Sequence, residues 1–151
     1  MQALSRRPVA QPIEYRRFRP EESGVLLRYF LRAGYPVPLS PQDTGWGAWN
    51  GEELVGALAL SREHGEWLVR GPEIDSAYRR RRVASALISL AIPEIRSLRC
   101  YCIAYTFLVR MYSRAGFRAC PRESQPAFLA RRVAKLRESQ WDVVLLTRAP
   151  D

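Results

Sequence analysis

The sequence predicts an α+β domain, a mostly antiparallel sheet flanked by helices, and three stretches carry that reading. Asn50-Gly51 is a two-residue hairpin signal set between runs patterned for a sheet. Apolar residues recur at helical spacing from Val25 to Ala33 and again from Val83 to Ala91. Between them, a strand-like run ending at Ile74 passes through four consecutive arginines, Arg79 to Arg82, straight into the second helix.

The elements follow in order. Ile13 to Arg17 can form a short first strand. Pro20-Glu21-Glu22 then opens a helix, because proline suits a helix start and acidic side chains complement the positive end of the dipole. Val25, Leu26, Tyr29, Phe30 and Ala33 share one face of it, and Gly34 is placed to end it. Tyr35 to Thr44 carries Pro36, Pro38 and Pro41 and cannot hold a regular ladder, so it reads as an extended loop able to border a pocket. Trp46 to Trp49 begins the hairpin and Leu54 to Leu60 returns it. A third strand runs from Glu66 to Ile74, interrupted by Gly71-Pro72. Proline removes a ladder donor and glycine permits a bulge, so this strand should bend or part from a neighbour there.

After the arginines, Val83, Ala84, Leu87, Ile88 and Ala91 form an apolar stripe until Pro93 breaks or kinks the helix. Leu98 to Ala104 is the next strand and Thr106 to Ala115 a short helix closed by Gly116. Ala127 to Arg137 reads as an extra amphipathic helix, and Trp141 to Thr147 as a final strand.

At 151 residues, 47% hydrophobic and 26% charged, the chain fits one ordinary globular domain. No apolar run approaches the roughly 20 residues of a membrane span, and residues 1–12 form a basic tail without an apolar signal core. A cytoplasmic location without a membrane partner is expected. The formal charge of +9 points to an acidic partner: nucleic acid, a membrane surface or a phosphate-bearing small molecule. Yet all but one of the 24 basic residues are arginine, Lys135 being the exception, which is the mark of a GC-rich coding bias. Pairs such as Arg6-Arg7, Arg16-Arg17 and Arg131-Arg132 read as solvated faces. Cys100, Cys102 and Cys120 are odd in number and lack metal-ligand spacing, so they read as reduced thiols with no metal site expected, and Cys100 and Cys102, on one side of an alternating strand, read as small core residues. His64 falls in the polar turn Arg62-Glu63-His64-Gly65.

The arginine run carries the chemistry. A strand that passes through a basic turn into an apolar helix builds an anion site from the unpaired N–H groups of the first helical turn, the positive end of the dipole and the guanidinium side chains. A phosphate-bearing ligand is expected there.

Tyr78-Arg79-Arg80-Arg81-Arg82-Val83-Ala84-Ser85-Ala86-Leu87, followed downstream by Met111-Tyr112-Ser113-Arg114-Ala115-Gly116-Phe117, resembles the GNAT superfamily of acetyl-CoA-dependent N-acetyltransferases. The first segment is similar to that family's phosphate turn, Arg/Gln-x-x-Gly-x-Gly/Ala, and the second to its Leu-Tyr-x-x-x-Gly-Phe element. The order of elements agrees over most of the chain, leaving out the tail before Ile13 and the segment from Cys120 to Gln140.

The resemblance implies a single domain over residues 13–151, with αβα layers and a sheet of six to seven strands. It implies transfer of an acetyl group from acetyl-CoA, as co-substrate, to a primary amine of a small molecule or protein by direct attack. In such a fold the strand ending at Ile74 splays from the one at Leu98 to Ala104, and the pantetheine arm pairs with backbone in the gap. The pyrophosphate rests on the turn. This gives a cofactor-binding set of Ile74, Arg79, Arg80, Arg81, Arg82, Val83, Ala84 and Ser85, with Tyr105 in the place of an asparagine that contacts the cofactor. Tyr112 matches the acid that protonates the departing thiolate. Glu73 and Glu66, both on the bulged strand, are the candidates for general base.

The residues also allow plainer roles: Tyr112 as an aromatic buried on its helix face, and each glutamate as a solvated strand-end charge. Arg80 and Arg82 stand where the family carries glycine. If the turn needs a positive φ, arginine costs roughly 1 kcal/mol or more there; if the residue is already helical, its N–H still binds phosphate and the side chain adds charge. Beside the acetyltransferase stand two other readings: a GNAT-like domain that has lost catalysis and serves as a CoA-binding or protein-interaction module, and a nucleic-acid-binding protein. Scattered arginines without a zinc finger or a stacking-aromatic RNA signature argue against the last. The loops Tyr35 to Thr44 and Cys120 to Gln140 match no acceptor signature, and the positive charge favours an acidic or neutral acceptor over polyamines. Apolar residues of the last strand or the extra helix, if exposed, would support a homodimer.

Overall fold

A computed structural model describes residues 12–151; the pair Arg6-Arg7, and the basic tail as far as residue 11, lie outside the described residues. The hairpin signal organises the sheet. Gly51, at φ 63°, closes the turn between β2 (Thr44–Asn50) and β3 (Glu53–Glu63). β1 (Glu14–Arg17) pairs with the outer side of β2, and β4 (Glu66–Ile74) with β3, all antiparallel. Next to β4 lies β5 (Cys100–Tyr105), the parallel neighbour. β7 (Val143–Arg148) then runs antiparallel between β5 and the two-residue β6 (Arg118–Ala119). The seven-stranded order is β1-β2-β3-β4-β5-β7-β6.

Strand alternation sorts the side chains into two apolar faces. Cys100, Cys102 and Ala104 of β5 join Val55, Leu58 and Val69 on one face, which α2 (Val83–Ile95) and α3 (Val109–Arg114) cover with Val83, Leu87, Ala91 and Tyr112. On the other face α1 (Ser23–Arg32) lays Leu26 and Phe30 over Ala57 and Ala59. Beside it, α4 (Ala127–Glu138) lays Leu129 and Val133 over Leu68, Tyr101 and Leu145. Each fully buried aliphatic or aromatic side chain stabilises by roughly 1.5–3 kcal/mol, so the two helix layers hold the sheet from both sides. These are αβα layers.

Three sequence expectations are modified. Pro93 does not stop α2, which continues to Ile95. Proline removes only its own N–H, and the next turn is closed by the Arg96 N–H donating to the Ile92 carbonyl at 2.9 Å. Pro20-Glu21-Glu22 forms a 3-10 turn ahead of α1, and Thr106–Leu108 another ahead of α3. In the last strand Val143, Leu145 and Leu146 are buried between β5, β6 and α4, so these three are not the exposed apolar residues that a dimer would use. His64, at φ 51°, occupies its turn with the imidazole 4.5 Å from the Phe128 ring of α4. All three cysteines are free and buried, Cys100 and Cys102 as the alternation of their strand predicts. Among the described residues, no helix is long and apolar enough to cross a membrane.

Candidate active site

β4 and β5 begin as neighbours and end apart. Their parallel ladder joins Trp67 to Cys100 and Leu68 to Tyr101 and goes no further. Gly71-Pro72 follows on β4, where proline has no N–H to give, and the pairing of β4 with β3 shifts register between Ala57 and Ala59. The split opens a cleft of about 1220 Å³, bounded by the ends of both strands, one side of α2 from Val83 to Ile92, and Met111 and Arg114 of α3.

One wall is built by the turn into α2. The first bond of the helix is the Ala86 N–H to the Arg82 carbonyl, 3.0 Å, so the N–H groups of Val83, Ala84 and Ser85 precede the ladder, and no side chain caps them. Arg80 and Arg82 have φ of 65° and 61°. The turn therefore does need the left-handed conformation that glycine adopts freely, and for arginine this costs roughly 1–2 kcal/mol at each position. The backbone keeps its shape and the side chains add charge. Arg79, Arg80, Arg82, Arg114 and Arg148 line the cleft against a single carboxylate, Glu73. Among the described residues, Arg79, Arg80, Arg82 and Arg114 have no carboxylate within 4.0 Å. Arg81 turns away from the cleft and lies over the Tyr78 ring, 5.3 Å from its centroid.

The mouth of the split is bracketed by Glu73 and Ile74 from β4 and Tyr105 from β5. Burial raises the Glu73 carboxyl above the usual carboxylate range, against the opposing pull of the Tyr105 hydroxyl and the Arg79 guanidinium. Burial also raises the Tyr105 phenol, and the Glu73 charge and hydrogen bond push it further. Beyond Tyr105 the aromatic rim continues to Phe107, stacked at 5.5 Å and 81% exposed, and to Trp141 at 6.1 Å.

Tyr112 sits beneath the cleft and does not line it. Its side chain is fully buried, its hydroxyl donates to the Gly71 carbonyl at 2.5 Å, and its ring packs edge-on against Phe117. Burial, with Cys102 beside it, pushes the phenol well up. Glu66 lies apart from all of this. It pairs with Glu63 at the opposite end of β4, seven residues from Glu73, which at the rise of a strand is about 23 Å. Thus Glu73, Ile74, Arg79, Arg80, Arg82, Val83, Ala84, Ser85 and Tyr105 share one cleft, while Glu66 and Arg81 stand outside it.

Sequence reasoning missed two supports of this site. A Cβ on Gly56 would meet Ile74 Cδ1 at 2.9 Å and Val83 Cγ1 at 3.1 Å, so the absent side chain lets the basic turn settle on β3. The run Leu54 to Leu60 gave no sign of that, since nothing in it names the partner. The second is Arg70, which is buried with Asp43 at 3.7 Å, and hydrogen-bonds to Ser61 Oγ and to the carbonyls of Val37 and Pro38. It fastens the proline-rich loop to β4. A lone arginine in an apolar strand run was the available signal. Close by, Tyr29 donates to Asp75 Oδ1 at 2.7 Å and pins α1 to the end of β4.

A sequence profile of the Acetyltransferase (GNAT) family matches residues 11–117. No curated protein sequence matches the chain. Among solved structures, an acetyltransferase of the GNAT family from Streptococcus pneumoniae is similar at 14% identity and a TM-score of 0.64, covering 93% of this chain and 100% of that one. Arabidopsis thaliana NAA60 in complex with acetyl-CoA is similar at 18% identity and 0.57, covering 91% and 99%. Diaminobutyrate acetyltransferase EctA from Paenibacillus lautus, in complex with L-2,4-diaminobutyric acid and coenzyme A, is similar at 13% identity and 0.59, covering 92% and 95%. At such identities the likeness is one of fold.

Proposed function

The chain belongs to the acetyltransferase (GNAT) family, and from that premise we propose that it transfers the acetyl group of acetyl-CoA to a primary amine by direct attack. The observation that carries this reading is the split between β4 and β5, opening beside a turn whose unpaired N–H groups and arginines face the same cleft. That arrangement suits a long ligand with phosphates at one end and a reactive group at the other. The N–H groups of Val83, Ala84 and Ser85, with Arg79, Arg80 and Arg82, hold the pyrophosphate. Ile74 and Tyr105 flank the arm in the gap. The co-substrate supplies an acyl group already activated as a thioester.

Glu73 is the general base, because of the two candidate glutamates it alone lies in the cleft. An attacking amine must lose its proton, and a carboxylate whose pKa is raised by burial takes that proton more readily than an exposed one. The arginines of the turn, Arg81 apart, line a cleft that also holds a carboxylate, which suits a small phosphate-bearing ligand better than a nucleic-acid backbone. The retained left-handed turn and the placement of Glu73 also favour an active enzyme over a domain that has lost catalysis.

The test is a calorimetric titration of micromolar protein with acetyl-CoA, followed by thiol release in the presence of a panel of primary amines. One binding site and amine-dependent thiol release are expected. Absence of acetyl-CoA and CoA binding overturns the proposal, and binding without release for any amine makes the chain a CoA-binding module.

A further inference from the structure

The split has two faces, and strand pairing fixes which side chains stand on each. Glu73 pairs with Ala57, part of the core under α1, and Tyr105 pairs with Val143, part of the core under α4. Residues directly opposite in a ladder share a face. Both side chains therefore point away from the face that α2 and α3 cover, whereas their neighbours Ile74 and Ala104 point into it. The basic turn leads into α2, so the phosphates lie on one side of the split and Glu73 and Tyr105 on the other.

On that other side stands an aromatic platform. Tyr105 meets Phe107, stacked at 8° and 5.5 Å, and Trp141, tilted by 31° at 6.1 Å, and all three line the cleft. The platform is tied together through Thr106, whose N–H donates to the Asp142 carbonyl at 3.0 Å and whose hydroxyl donates to Asp142 Oδ1 at 2.7 Å. These bonds join the residue between Tyr105 and Phe107 to the residue after Trp141. Phe107 nevertheless keeps 81% of its surface open, although burying such a ring is worth roughly 1.5–3 kcal/mol.

The charges narrow what can cover it. Glu73 is the single carboxylate lining the cleft. Asp142 is engaged by Thr106, and Asp75 accepts from the Tyr29 hydroxyl. A second ammonium on the acceptor thus finds no second carboxylate in the cleft. Arg70 is spent on Asp43, Ser61 and the carbonyls of the proline-rich loop, while the arginines without a carboxylate partner among the described residues that line the cleft belong to the turn and to α3. An acceptor carboxylate has no cation set aside for it beside the platform.

We propose that the acceptor is a primary amine on a short chain that carries an aromatic ring, and that Phe107 selects it by stacking that ring on its open face while the amine reaches Glu73. This deepens the N-acetyltransferase reading above and rests on it.

The test is kcat/KM for thiol release from acetyl-CoA with 2-phenylethylamine, 2-cyclohexylethylamine, ethylamine, spermidine and glutamate. 2-Phenylethylamine is expected to lead the panel. Phe107→Ala, at an exposed position that the fold does not need, should lose about 10-fold on 2-phenylethylamine, mostly in KM, and no more than about two-fold on ethylamine. Phe107→Tyr, which keeps the ring face, should restore the preference, and CoA affinity by calorimetry should be the same in all three proteins.

Equal losses on ringed and ringless amines, or a lead for the saturated ring, spermidine or glutamate, would overturn the inference. So would a Phe107→Ala protein that loses CoA affinity in place of amine preference, which gives the platform to the adenine. A fourth contrary result is a dimer that Phe107→Ala dissociates with the amine ranking unchanged, since a second copy then covers the ring. In each of these cases the acetyltransferase reading stands. If the parent protein binds no acetyl-CoA, or releases no thiol with any amine, that reading fails and this one with it.

Discussion

Replacing Arg82 by glycine should make the protein slightly more stable and a poorer binder of CoA. Arg82 sits at φ 61° as the residue that precedes α2. The left-handed conformation costs a residue with a Cβ about 1–2 kcal/mol, which glycine does not pay. Glycine gives back about 0.5–1 kcal/mol in the greater freedom of its unfolded backbone. The net gain is between about 0 and 1.5 kcal/mol, a rise in Tm of no more than about 5 °C for a domain of this length. Against this, Arg82 lines the cleft with no carboxylate partner among the described residues, and losing one charge-assisted contact to a phosphate costs about 1.5–3 kcal/mol. CoA affinity should fall roughly 10- to 100-fold. Thermal melts of the free protein and calorimetric titrations with CoA read the two effects separately. Arg81→Gly is the control, since Arg81 leaves the cleft and has no positive φ; it should lose stability and bind CoA with little change. A loss of more than about 1 kcal/mol of stability in Arg82→Gly would refute the strain argument, and unchanged or tighter CoA binding would refute the role of the side chain.

Gly56→Ala pushes Ile74 and Val83 apart and should cost about 1–3 kcal/mol while weakening CoA binding, measured by melting and calorimetry. Arg70→Ala leaves Asp43 buried without its cation and should cost about 3–5 kcal/mol, lowering Tm by roughly 10 °C. Removing Asp43 as well should cost less than the sum of the two single changes, because they share one interaction. Glu73 binds its proton more tightly folded than unfolded, so its ionisation opposes folding above the ordinary carboxylate range. Glu73→Gln should therefore raise Tm at about pH 8 and give no gain at about pH 4, a difference read from melts at the two values.

What the sequence made legible was local. Asn50-Gly51 specified a hairpin, Gly71-Pro72 a disturbed strand, and the Val83 to Ala91 stripe a helix, because each depends on neighbours within a few residues. α2 runs two residues past Pro93, since a proline in the last turn removes a single hydrogen bond. The site was legible only as far as its turn. Glu66 and Glu73 look alike in sequence, and what separates them is that the split opens at one end of β4 alone. The hydrogen bond of Tyr112 to Gly71 spans 41 residues, and the pair Arg70 and Asp43 depends on how a loop folds back on the sheet. β6 has two residues, too few to show a period, so nothing local announced that β7 would lie inside the sheet.

The most direct measurement is a crystal structure of the protein soaked with CoA. The account predicts the pyrophosphate on the N–H groups of Val83 to Ser85 and the thiol in the split between Glu73 and Tyr105. CoA bound elsewhere, or a thiol end lying outside the gap between β4 and β5, would contradict it.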